Sequence, residues 1–190
     1  MKVIVITLPE MVEGEAPLIE AFLRRGIAHS VHLRKPTATM AQLEALVRAV
    51  PADLHHRLVL HDHFALAVEF GLQGVHLNRR NPLPPAGWQG SVSRSCHSLA
   101  EVVEWKARCT YVSLSPIFDS ISKQGYRAAF TPRELEQARR EGIIDHRVLA
   151  LGGVTFGRLP IVAAMGFGGA MVLGDAWNAQ NLCNLCILDR

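Results

Sequence analysis

A chain of 190 residues has room for one compact domain, read here as spanning 1–190, and not for two of ordinary size. With 49% hydrophobic and 19% charged residues it can fill a large core, which excludes a disordered or collagen-like chain. A formal charge of +3, with no basic run interleaved with aromatics, offers no groove for nucleic acid; the apolar stretches are too short for a bilayer, and four cysteines at this length fit a reduced, cytoplasmic protein.

Taken in chain order, short β-branched runs give way repeatedly to helical stretches. Val3–Thr7 is a buried strand rather than a signal sequence, because Pro9 and Glu10 interrupt the apolar run and no small-residue cleavage site follows. A helix near Ala16–Arg25 ends at Gly26, Ser30–Leu33 is the second strand, and a helix near Met40–Val50 follows. Arg57–His61 precedes a helix near Phe64–Phe70, and Gly74–Leu77 precedes the loop NPLPPAGW, which leaves little room for a helix. Ser91–Ser93 and a helix near Leu99–Ala107, Thr110–Ser115 and a helix at Pro132–Glu141, Arg147–Leu151 and a helix near Phe156–Met165, and finally Gly169–Leu173 complete eight repeats.

Eight such β/α repeats predict a closed TIM (β/α)8 barrel. At 190 residues the barrel is a minimal one, since such folds seldom need fewer than about 200 residues. Only Gly174–Arg190 follow the last strand, so the eighth helix is expected to be short or missing, with its face covered by a second copy in a homodimer. In a barrel of this kind the chemistry gathers where the strands end. The strand ends here carry Arg34 and Lys35, His61 to His63, His76, Asn78 and Asn81, Arg94 and Ser95, Ser115, Ser120, Ser122 and Lys123, and Gly152, Gly153 and Gly174. Cations, hydroxyls and glycine turns on one rim point to a phosphorylated ligand, with backbone amides at Gly152–Gly153 approaching the phosphate. Bland readings stand beside the functional ones: Asp62 also suits a helix N-cap, His76 a barrel interior, and the two glycines a tight turn.

Six motifs, in order, carry a resemblance: VHLRK (31–35), LVLHDHFALAVEFGLQGVHL (58–77), RSCHSLAEV (94–102), YVSLSPIFDSISK (111–123), VLALGGVT (148–155) and GFGGAMVLG (166–174). Together they resemble the family of thiamine phosphate synthases and thiazole tautomerases. The resemblance implies a transferase that joins a hydroxymethylpyrimidine diphosphate to a thiazole phosphate, releasing pyrophosphate through a pyrimidine methyl cation. It places Arg34, Ser95, Ser122 and Lys123 at or near the pyrophosphate, with Arg34 and Lys123 in the catalytic role, and Mg2+ on Asp62 and Asn81. Ser120, Gly152, Gly153, Leu173 and Gly174 fall around the thiazole phosphate, and His61 among the substrate-binding residues.

Several positions depart from the pattern. The family has a motif close to QLREK where this chain has HLRKP, so Pro36 replaces a pyrophosphate-binding lysine. It has ND where this chain has His61–Asp62, and a metal-binding carboxylate where this chain has Asn81. The tautomerase branch has a histidine where this chain has Pro116. Three readings therefore stay open: a synthase, a tautomerase, or a non-catalytic relative that binds thiazole and thiamine phosphates.

Overall fold

The computed structural model describes residues 1–119 and 127–187. Eight parallel strands close into a barrel in sequence order, β1 (Lys2–Ile6), β2 (Ser30–Leu33), β3 (Leu58–Leu60), β4 (Gly74–Leu77), β5 (Ser91–Cys96), β6 (Tyr111–Leu114), β7 (Val148–Ala150) and β8 (Gly169–Val172). The ring is completed by β8 on β1, where Lys2 aligns with Gly169 and Val5 with Val172. The helices are α1 (Glu15–Arg24), α2 (Met40–Ala49), α3 (Ala65–Glu69), α4 (Leu99–Lys106), α5 (Pro132–Arg140), α6 (Leu159–Ala164) and α7 (Ala179–Ile187). Among the described residues β4 alone leads to the next strand without a helix, as the Pro-rich run 82–85 implies.

Local chemistry fixes the helix starts. Thr39 and Gln42 cap α2 reciprocally, and Thr131 and Glu134 do the same for α5, whose first residue is Pro132. The core lies between strands and helices: Ile19, Phe22 and Leu23 of α1, and Leu43 and Val47 of α2, pack on outward residues such as Val31, Leu33, Leu58 and Leu60. Each such side chain contributes about 1.5–3 kcal/mol by leaving water. At the end of the barrel away from the strand C-termini, the Arg57 guanidinium donates to the carbonyls of His29, Leu23 and Ala28 at 2.9, 2.8 and 2.6 Å.

The final segment closes the barrel differently from the expectation of an uncovered face. Helix α7 is short, but the outward residues of β8, Ala170 and Val172, are fully buried within the chain. Trp177 is buried in the same segment, edge-on against Phe22 and donating from its indole to the carbonyl of Ile6 at 2.7 Å. The last strand is thus covered within the chain.

Candidate active site

Because side chains alternate along a strand, every second residue of each β-strand enters the barrel. Strands β7, β8 and β1 fill their share with Leu149, Met171, Ile4 and Ile6. Strands β2 to β6 bring polar groups instead. The register that pairs Leu60 with Val75 carries His61 next to His76, His76 aligns with Ser93, and Ser93 with Tyr111. His32 Nδ1 lies 3.0 Å from His61 Nε2, and His32 Nε2 lies 2.6 Å from the Tyr111 hydroxyl. The His61 and His76 rings stack at 4.1 Å and 18°. His76 reaches the hydroxyls of Ser93 and Ser95 at 2.9 and 3.0 Å, and Ser113 donates to Ser95 at 3.1 Å. The interior beneath the mouth is therefore one connected polar network.

Burial keeps these imidazoles neutral. It pushes His32 and His61 well below the ordinary histidine value and His76 down to about 3; the neighbouring imidazoles with Arg34 and Arg80 add to the effect at His61, and Arg94 and Arg34 at His76. The Tyr111 hydroxyl is pushed up by burial and stays protonated. Arg34 continues the inward face of β2 beyond His32, and its guanidinium makes no hydrogen bond or ion pair among the described residues. A free cation at a barrel mouth is available to an anionic ligand.

Lys35 belongs elsewhere. It continues the outward face of Val31 and Leu33, is fully buried, and pairs with Glu15 at 2.6 Å while also donating to the carbonyls of Leu8 and Glu10. It is a structural cation behind the β1 loop and not part of the rim. Arg94 also turns outward, lying 4.1 Å over the Trp105 ring.

Asp62 does not cap α3, whose N-cap is Phe64 without a side-chain bond. Its carboxylate is held instead by Arg80, Nε to Oδ1 at 2.9 Å and NH2 to Oδ2 at 3.0 Å, and by Asn81 Nδ2 at 3.0 Å. Asn78 shapes this approach by accepting from the amides of Arg80 and Asn81 and donating to the carbonyl of His61. A hard cation held by one carboxylate and substrate phosphate oxygens matches the donor set, provided Arg80 lets go. At 56% side-chain exposure, Arg80 is free to swing away.

Across the mouth, Gly152 and Gly153 have φ of +89° and +61°. A Cβ on Gly152 would meet Pro116 Cα at 2.6 Å, and one on Gly153 would meet the carbonyl of Asp119 at 2.3 Å, so both glycines are required by the packing of this loop on the β6 loop. The tight-turn reading is therefore true, but it leaves something over. The amides of Gly152, Gly153 and Gly174 make no hydrogen bond among the described residues, whereas that of Phe156 is taken by Asp175 at 2.8 Å. Leu173 precedes Gly174 and packs on the interior apolar cluster. Unused N–H groups at the ends of β7 and β8 are of the kind that can receive an anion. Ser120, Ser122 and Lys123 lie outside the described residues.

Sequence reasoning placed His61, Ser95, Arg34, Asp62, Asn81 and the glycines on one end of the barrel. It missed the roles of His32, Tyr111, Ser93, Ser113 and Arg80. The first four share a readable signal, since they occupy the inward parity of their strands. Arg80 had none, because its reach to Asp62 depends on the turn made by Asn78.

The fold and site define a (β/α)8-barrel protein with an amide cradle facing a cationic, polar mouth, an arrangement suited to phosphorylated ligands. The family described as thiamine monophosphate synthase matches residues 3–175, and the chain belongs to that family. It is 32% identical over 176 residues to the thiamine-phosphate synthase of Escherichia coli (strain K12), covering 86% of this chain and 81% of that one. It superposes on the crystal structure of thiamine phosphate pyrophosphorylase from Bacteroides thetaiotaomicron with a TM-score of 0.85, 38% identity and full coverage of both chains. The thiamine phosphate pyrophosphorylase from Pyrococcus furiosus, 18% identical with a TM-score of 0.77 over 97% of this chain and 91% of that one, shares the fold.

Proposed function

We propose that the chain is a transferase of the thiamine phosphate synthase type, joining hydroxymethylpyrimidine diphosphate to thiazole phosphate. The observation that supports this reading is a pair of features suited to anions at one mouth: among the described residues, the amides of Gly152, Gly153 and Gly174 and the guanidinium of Arg34 make no hydrogen bond, and Arg34 lies on the same rim as Asp62. The reaction needs two phosphorylated partners held face to face. The bond from the pyrimidine methylene to oxygen breaks, pyrophosphate departs with the electron pair, and the thiazole nitrogen lone pair forms the new C–N bond. Catalysis of this kind is positioning and charge stabilisation, with no protein nucleophile. The glycine amides hold the thiazole phosphate, assisted by Ser120, while Arg34, Ser122 and Lys123 hold the pyrophosphate. Ser95 lies close to the pyrophosphate, and His61 is among the substrate-binding residues.

Mg2+ belongs to the same proposal. Asp62 and Asn81 would hold it once a substrate pyrophosphate displaces Arg80, and its chemistry is charge neutralisation of the leaving group. Residence in the cytoplasm is supported by Cys96 and Cys109, which are free and buried, and by the lack of any helix among the described residues long and apolar enough to cross a membrane. Homodimerisation is supported by Val68, Leu83 and Val103, all more than half exposed on the elements that flank β4, where no helix covers the strand. Light scattering near twice the 20.9 kDa chain mass is the expected outcome, and a monomer at high concentration counts against it.

The test of function is pyrophosphate release. Purified protein with Mg2+ should release it only when both phosphorylated substrates are present. A tautomerase reading is favoured by the three interior histidines. It would show as solvent deuterium entering a thiazole carboxylate phosphate without pyrophosphate release, and tight binding of thiamine phosphate with no turnover would identify a non-catalytic relative.

A further inference from the structure

The interior histidines call for an explanation of their own. The inside of a β/α barrel is ordinarily filled by branched apolar side chains, as β7, β8 and β1 are here. Strands β2, β3 and β4 instead place three imidazoles side by side, with His32 fully buried and His61 and His76 6% and 4% exposed. No carboxylate is grouped with them among the described residues. One ring nitrogen from each lies within 4.8 Å of the other two, and the His32–His61 pair is already at 3.0 Å.

We infer that His32, His61 and His76 form a binding site for a late first-row divalent metal, of which Zn2+ is the representative. The outer hydrogen bonds support it. His32 presents Nε2 to the Tyr111 hydroxyl, which turns Nδ1 towards His61. His76 presents Nδ1 to Ser93, which leaves Nε2 on the side of Ser95. Ligating histidines characteristically fix their second nitrogen in this way, which sets both tautomer and ring plane. With Zn–N bonds of about 2.0–2.1 Å, tetrahedral ligand nitrogens stand roughly 3.4 Å apart, so the His32–His61 pair at 3.0 Å has to open slightly and His76 has to turn out of its stack on His61 to aim a nitrogen at the same point.

Three neutral nitrogen ligands suit Zn2+, Co2+ or Ni2+ and do not suit Mg2+, which takes oxygen. The site is distinct from the carboxylate of Asp62, and its fourth position is left for water or for a ligand atom entering from the mouth.

The test is metal binding and needs no substrate. Protein stripped with a chelator is titrated with Zn2+ against a chromogenic competitor, and with Co2+ while visible spectra are recorded. One equivalent of Zn2+ should bind in the submicromolar range, about 100-fold more weakly or worse in His32→Gln and His61→Asn. Co2+ should give the intense bands of a tetrahedral site without thiolate charge transfer, and Cys183→Ser with Cys186→Ser should change neither. Zn2+ affinity equal in wild type and both histidine variants would overturn the inference. So would loss of binding with the cysteines, or an octahedral Co2+ spectrum in wild type. The Co2+ spectrum decides the matter even where a variant fails to fold.

Discussion

Acid should unfold this barrel earlier than its carboxylates require. In the folded chain His76 is held down to about 3, and His32 and His61 well below 6.5, chiefly by burial. In the unfolded chain all three titrate near 6.5. Below that value the unfolded state binds protons that the folded state refuses, so stability is complete above neutrality and is lost as pH falls from 6.5 towards 3. Between pH 7.5 and 5.5 His76 costs roughly 1 kcal/mol, and His32 and His61 add in the same direction, against the roughly 5–15 kcal/mol that holds a domain folded. The assay is urea unfolding at pH 7.5, 6.5 and 5.5 with a chelator present, for wild type and His76→Gln. The variant should lose roughly 1 kcal/mol less over the interval, because the amide cannot take up a proton; groups common to both proteins cancel. Equal losses would mean that His76 already protonates in the folded barrel and would refute the account of the interior as a neutral network.

Other perturbations follow from particular contacts. Lys35→Met leaves Glu15 buried without its cation and should cost about 3–5 kcal/mol in urea unfolding, whereas a cost under about 1 kcal/mol would show that the pair is not closed in solution. Gly153→Ala forces a Cβ onto the Asp119 carbonyl at a φ of +61° and should weaken thiazole phosphate binding at least about tenfold in calorimetry; unchanged affinity would remove the cradle from the site. Arg80→Met frees the Asp62 carboxylate and should lower the Mg2+ needed for half-maximal rate, and an unchanged requirement would separate Asp62 from the metal.

Much of the barrel was legible because most strands announce themselves by a β-branched run and the stretches between them by helical patterning. The candidate mouth was legible for the same reason, since strand order alone puts Arg34, His61, Asp62, Ser95, Gly152 and Gly174 at one end. What escaped depends on facing and reach. Lys35 sits beside Arg34 in sequence, yet parity sends one to the mouth and the other into a buried pair with Glu15, twenty residues away. The final segment is tied back by Trp177, whose indole meets the Ile6 carbonyl across almost the whole length of the chain. Contacts between distant segments leave little trace in local pattern, which is also why the Arg80–Asp62 pair was invisible.

The central claim is carbon–oxygen cleavage with transfer to the thiazole nitrogen at this mouth. The direct measurement uses hydroxymethylpyrimidine diphosphate labelled with 18O in the bridging oxygen, together with thiazole phosphate, Mg2+ and the purified protein, with mass spectrometry of all products. The account predicts thiamine phosphate and pyrophosphate in equal amounts, with the label wholly in the pyrophosphate. Label retained in a hydroxymethylpyrimidine product, with no thiamine phosphate formed, would mean phosphorus–oxygen hydrolysis and would contradict it.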